Sequence, residues 1–244
     1  MRLIKLAFKR ETAMPMLALL FASGVSVALV LARVLWTGDF RHSSLIWNLF
    51  LAWLPLVFAL LAYDQFGSAS NRNWRFLGWA AAWLLFFPNA PYIFTDLIHL
   101  LTRSYGHFWF DLVMILSCAL TGLVLGFVSL YLMQSVVARR LGRLAGWIFI
   151  ALVAALSSFG VYLGRFRRFN SWDIVCNPLE LCRGIWEWLA NPLAHPTTYA
   201  FPAVFAMFLF IAYLMLYALT HLQQHSPFSV PMERPQNPET AGLP

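Results

Sequence analysis

"FFPNAPYIFTDLIHL", residues 86–100, runs an aromatic and aliphatic stretch into Pro88-Asn89-Ala90-Pro91, then sets Asp96 and His99 three residues apart among apolar neighbours. A continuous apolar run would be a buried helix or a membrane span. Here the run breaks, and ionisable groups follow while the apolar character continues. The residues on either side decide which environment this is.

Those flanks are apolar almost throughout. The 244 residues are 61% hydrophobic and only 11% charged, whereas a soluble domain carries about 25% charged residues. Runs of roughly 20 apolar residues mark membrane spans, and six are expected, at about 14–36, 44–63, 73–87, 108–133, 145–163 and 199–220. The expected fold is therefore all-α: a polytopic membrane helical bundle of about six transmembrane helices with short interfacial helices. Residues 1–13 form a basic N-terminal segment and 14–225 a single transmembrane domain. Residues 226–244, with five prolines and no apolar periodicity, are expected to be disordered.

"MRLIKLAFKRE" at the start resembles a signal-peptide n-region, but the apolar segment after it is too long for one. An uncleaved first helix is expected. The formal net charge of +7 would suggest nucleic acid in a soluble chain; here it reports orientation, because cytoplasmic loops collect Lys and Arg. With the N-terminus inside, ten of the seventeen basic residues fall on the inner side. Both termini are thus expected in the cytoplasm, in a bacterial inner membrane. The expected partner is the lipid bilayer, with an anionic lipid headgroup as a candidate ligand and no nucleic acid. Cys176 and Cys182 share an outer loop, where they either pair in an oxidising periplasm or stay free.

Span three starts after Arg72 and meets Pro88 about 22–24 Å later at 1.5 Å per residue, short of the ~30 Å hydrocarbon core. The break therefore falls inside the outer leaflet, where irregular backbone must be buried in protein or line a wet cavity. After Pro91 a helix is expected to restart, with Tyr92, Thr95, Asp96, His99 and Arg103 on one face. That stripe either meets water at the interface or faces inward onto the break. In "GHFWFD", His107 and Asp111 open span four. Asp111 is either an ionisable group kept at membrane depth for function or an acid stabilised by a helix N-terminus. In "GRFRRFNSWD", residues 164–173, Arg165 and Arg168 suit phosphate or carboxylate, with Asn170, Ser171 and Asp173 beside them; a basic loop drawn to headgroups would look the same. All three clusters fall on one expected face of the membrane. Small residues Cys118, Gly122, Gly126 and Ser129 in span four, and Ser157, Gly160 and Gly164 in span five, are expected to pack those two helices tightly. In the following loop, "NPLELCRGIWEWLA", residues 177–190, has the start signals and amphipathic pattern of an interfacial helix. Arg33, the other charge within a span, is expected to snorkel outward.

The "FFPNAPYIFTDLIHL" segment, Trp109 to Asp111, and "YLGRFRRFNSWD" resemble the DUF1361 family of uncharacterised bacterial multi-pass membrane proteins. The resemblance runs over about residues 45–220 and implies a polytopic membrane protein; it supplies no activity.

The candidate catalytic residues are Asp96, His99, Asp111 and Asp173. The candidate substrate-binding residues are Asn89, Tyr92, Arg165, Arg168, Asn170 and Ser171. Together they are expected to line an outward-facing polar pocket, serving a membrane enzyme or a binding site for a phosphate-bearing lipid or other anionic substrate. One histidine with three carboxylates also suits a hard divalent cation, so a metal ion is a candidate cofactor, with none assigned. The alternatives are a transporter or flippase and a non-catalytic assembly subunit. Carboxylates in excess of their basic partners would favour a site, and one-to-one pairing would favour a scaffold.

Overall fold

The computed structural model describes residues 13–66, 73–102, 107–169, 176–190 and 196–222. The basic N-terminal segment, the proline-rich tail, Asn170, Ser171 and Asp173 lie outside them. Helices α1 (Ala13–Thr37), α2 (Ser44–Phe66), α3 (Asn73–Phe86), α5 (Phe108–Leu141), α6 (Arg143–Phe166) and α8 (Pro196–Leu222) lie over the six expected spans, with α5 running eight residues past its expected end. Between them lie a 3-10 turn (Phe40–Ser43), the four-residue helix α4 (Asn89–Tyr92), a 3-10 segment (Ile93–Thr102) and α7 (Pro178–Ala190). No strand is present among the described residues.

Five of these elements are long and apolar enough to cross a membrane, the exception among the expected spans being α3. Its 14 residues rise only about 21 Å. The outward surface agrees with a lipid environment. Phe21 and Leu152, for example, are 75% and 58% exposed, a pattern repeated along each long helix that would be an aggregation liability in water. The chain is a multi-pass membrane protein.

The core forms where α1, α2 and α5 meet the break after α3. Leu45, Leu49, Ala52 and Leu56 of α2 pack with Met114, Ile115 and Cys118 of α5 and with Ala90 and Ile93. Helices α5 and α6 are antiparallel neighbours joined at Gly142, whose φ of 93° needs a residue without Cβ. Compactness divides the chain into residues 1–210 and 211–244, with the boundary inside α8. In the first unit, Phe208 of α8 packs on Phe94 at 5.0 Å between ring centroids. In the second, Tyr213 and Tyr217 pack at 6.2 Å. Cys176 and Cys182 are free and exposed, so of the two states the sequence allows the structure has the unpaired one.

Two expectations are corrected. The segment after the break is a 3-10 helix of ten residues rather than an α-helix, well beyond the three or four residues such helices usually run. The tightening begins at the prolines. Pro91 has no N–H to give the Phe87 carbonyl, which accepts from Ala90 N at 3.1 Å instead. The Asn89 side chain donates to the Phe86 carbonyl at 2.9 Å, so that carbonyl keeps a partner at the break.

The second correction concerns the small residues of α5 and α6. They admit a third element rather than only packing the two helices together. A methyl built on Gly122 would stand 2.9 Å from the Ala90 carbonyl oxygen, on Gly126 2.9 Å from Ala90 Cβ, and on Gly160 2.8 Å from Pro88 Cγ. The Pro-Asn-Ala-Pro break is inserted between α5 and α6, and the glycines make the space. Gly122 and Gly126 lie roughly 21 and 27 Å along α5 from its start, so irregular backbone sits at mid-helix depth, enclosed by protein.

Candidate functional site

Polar side chains gather at the end of the bundle where α1 and α6 finish and α2 and α5 begin. They form two centres, each made of one aspartate and one arginine from distant parts of the chain.

The first lies on the 3-10 segment. Arg165, in the last turn of α6, donates from Nη1 to Asp96 Oδ1 at 2.9 Å and from Nη2 to the Thr95 carbonyl at 2.9 Å. Its guanidinium carbon lies 5.7 Å from the centre of the Tyr92 ring. Asn48 of α2 donates Nδ2 to the other Asp96 oxygen at 3.1 Å. Arg165 thus holds a carboxylate, a carbonyl and an aromatic face together, which a planar five-donor group can do and an ammonium cannot. Gly164 leaves little spare room beside it, because a methyl there would stand 3.2 Å from the Tyr92 ring. Here the structure brings together three residues nominated from sequence: Tyr92, Asp96 and Arg165. His99 lies on the same 3-10 segment, three residues on from Asp96.

The second centre was not anticipated. Asp111, in the first turn of α5, pairs with Arg33 of α1 rather than with Arg165. Nε donates to Oδ1 at 2.6 Å and Nη2 to Oδ2 at 3.3 Å. Both side chains are 6% exposed. Arg33 therefore does not snorkel: Asp111 gives it a partner inside the bundle, and the pair neutralises both charges where water is scarce. His42, in the 3-10 turn between α1 and α2, places Nε2 3.9 Å from Asp111 Oδ2. Arg33 Nη1 is buried without a hydrogen-bond partner among the described residues.

Arg33, His42 and Asn48 were thus missed. For Arg33 a signal existed, since an ionisable residue inside a span is a candidate by default. For His42 and Asn48 there was none, because a histidine in a short connection and an asparagine at a helix start are ordinary. The two centres are neighbours along the chain: His42 in the 3-10 turn and Asn48 near the start of α2 are six residues apart.

The remaining candidates fall elsewhere. Asn89 serves the backbone of the break. Arg168 is exposed just beyond α6, with φ at 60°, a left-handed conformation uncommon for a residue with a Cβ. Phe169 follows it and packs against Gly184 of α7, where an added methyl would meet the ring at 3.1 Å. No group of three His, Cys, Asp or Glu side chains among the described residues is placed to hold a metal ion. Asp96 and Asp111 instead face guanidinium groups, whose donors repel a cation.

No curated protein and no solved structure matches this chain significantly. A family model does match, over residues 47–217, and its span takes in the Pro-Asn-Ala-Pro break, Asp96, Asp111 and Arg165; the chain belongs to that family, described as a protein of unknown function (DUF1361).

Proposed function

We propose that this multi-pass protein uses the arginine-rich end of α6 and the adjoining α7 to bind an anionic, phosphate-bearing group, with a lipid headgroup as its source, at the extracytoplasmic face of the inner membrane. The observation that carries the reading is the division of labour among the arginines. Arg165 is committed to Asp96 and the Thr95 carbonyl, while Arg168, three residues on, is exposed and held in a strained backbone conformation. Strain of this kind costs about 1–3 kcal/mol and clusters where a side chain must be aimed. Arginine is suited to phosphate through its bidentate fork, and an amphipathic α7 beside it suits the headgroup layer. Asn170, Ser171 and Asp173 follow directly in sequence and supply further polar groups. Acid–base chemistry by Asp96 and Asp111 is disfavoured by their arginine partners, so binding is the function proposed and no reaction is assigned.

The test is lipid-dependent stability of the purified full-length protein. Phosphatidylglycerol should raise its melting temperature more than phosphatidylcholine does, and Arg168→Gln should remove most of that difference without lowering the baseline melt. Equal stabilisation by both lipids, or an unaltered preference in the variant, would overturn the reading. One observation favours an assembly subunit instead. Among the described residues, Asp96 and Asp111 each face an arginine, an arrangement expected of charges that lock helix ends together.

A further inference from the structure

We propose that His42, Asp111 and Arg33 form a proton-binding site in which the Asp111 carboxylate exchanges the weaker of its two Arg33 contacts for a protonated histidine. The site is independent of the lipid reading and involves different residues. Three observations carry it. The Arg33–Asp111 bond is lopsided: Oδ1 is held at 2.6 Å by Nε, while Oδ2 is held at only 3.3 Å by Nη2. The weakly held oxygen is the one that His42 Nε2 faces at 3.9 Å. Arg33 Nη1, at the far corner of the same guanidinium, is buried with no partner among the described residues, so Arg33 is held on one edge only.

The chemistry follows from charge. With His42 neutral, Arg33 and Asp111 sum to zero in a place where a net charge is costly. Adding one proton to the imidazole makes a second cation beside one carboxylate. The imidazolium then donates an N–H to Oδ2 and displaces the weaker Arg33 contact. The proton ends on the His42 ring, no covalent bond other than N–H forms, and the deprotonation that follows restores the original pair. Histidine is the side chain whose charge changes between about pH 5 and 8. The exchange has a structural consequence, because Arg33 ties α1 to α5 whereas His42 ties the α1–α2 connection to α5. Among the described residues, the charged and titratable groups around this centre include Asp39 and Arg41 in that same connection, paired with each other at 3.2 Å, His107 at the head of α5, whose ring packs on Trp36, and Asp96 with Arg165 at the neighbouring centre.

The test is nuclear magnetic resonance on the full-length protein in lipid nanodiscs, with 15N-labelled histidine and arginine, His42 being assigned by its loss in His42→Gln. His42 should titrate between pH 5 and 8, and the Arg33 Nε resonance should move with the same midpoint. Removing the cation in Arg33→Gln leaves an unopposed carboxylate beside the ring, so the midpoint should rise by about one pH unit or more. Removing the carboxylate in Asp111→Asn leaves the arginine, so it should fall by a similar amount. The Arg33 resonance needs only the wild-type fold, so the proposal stays testable if a variant misfolds. A His42 ring that keeps one protonation state from pH 5 to 8, or an Arg33 signal blind to the His42 midpoint, would overturn it.

Discussion

Arg33 Nε donates to Asp111 Oδ1 at 2.6 Å, joining the last turns of α1 to the first turn of α5 across 78 residues of sequence. Each residue alone would be a charge among apolar neighbours. Together they form a neutral unit, and the helix ends that carry them are held in register. The Asp96–Arg165 pair does the same for the 3-10 segment and α6. These two bonds hold four elements at one end of the bundle.

Breaking a buried pair strands a charge, at about 3–5 kcal/mol. Arg33→Gln and Asp111→Asn should therefore each lower stability by that order, and the double variant should recover much of the loss. A double-mutant cycle on thermal or denaturant unfolding in detergent reads the coupling. Asp111→Asn with Arg165→Gln should instead be close to additive, because those residues belong to different centres. Strong coupling there would contradict the pairing.

At the other centre, replacement by lysine should fail. Arg165→Lys keeps the charge but cannot reach Asp96, the Thr95 carbonyl and the Tyr92 face together. It should lose nearly as much stability as Arg165→Gln. Asn48→Ala removes one neutral donor from Asp96 and should cost less, about 1–2 kcal/mol. A lysine variant as stable as wild type would show that only the charge matters.

The glycines give a contrast within one protein. Gly160→Ala brings a methyl to 2.8 Å from Pro88 Cγ, and overpacking of this kind costs about 1–3 kcal/mol. Gly24→Ala in α1 meets nothing within 4 Å and should be neutral or gain about 0.5–1 kcal/mol from helix propensity. Melting curves of the two variants should move in opposite directions or differ clearly. Equal effects would argue against the inserted break.

Cysteine labelling tests side-chain accessibility and orientation at once. Cys176 and Cys182 are exposed thiols, whereas Cys118 is 1% exposed in the core. A maleimide should modify the first two in folded protein and reach Cys118 only after denaturation. If residues 164–198 face outward, a membrane-impermeant maleimide should label the pair in intact cells. Protection in cells with labelling after lysis would place that loop in the cytoplasm.

The amino-acid sequence determined the helices. Apolar runs of span length are local signals, so the observed helices start within a few residues of the expected bounds, although α5 runs on to Leu141, and the Pro-Asn-Ala-Pro break was legible because two prolines remove specific backbone donors whatever surrounds them. That α3 stops short of a full crossing was likewise plain from its length. The polar clusters could be placed at a common end of the bundle for the same reason, since position along a span follows from counting residues. Tertiary structure alone decided the partners. Asp111 chose between Arg33 and Arg165, Gly160 chose between α5 and Pro88, and the 3-10 winding after Pro91 accompanies an Arg165 bond to the Thr95 carbonyl that arrives from α6. Such choices depend on which helix faces lie opposite one another, and that is set by the packing of the whole bundle. A charge inside a span shows only that it needs a counter-charge; which one it meets is a property of the fold.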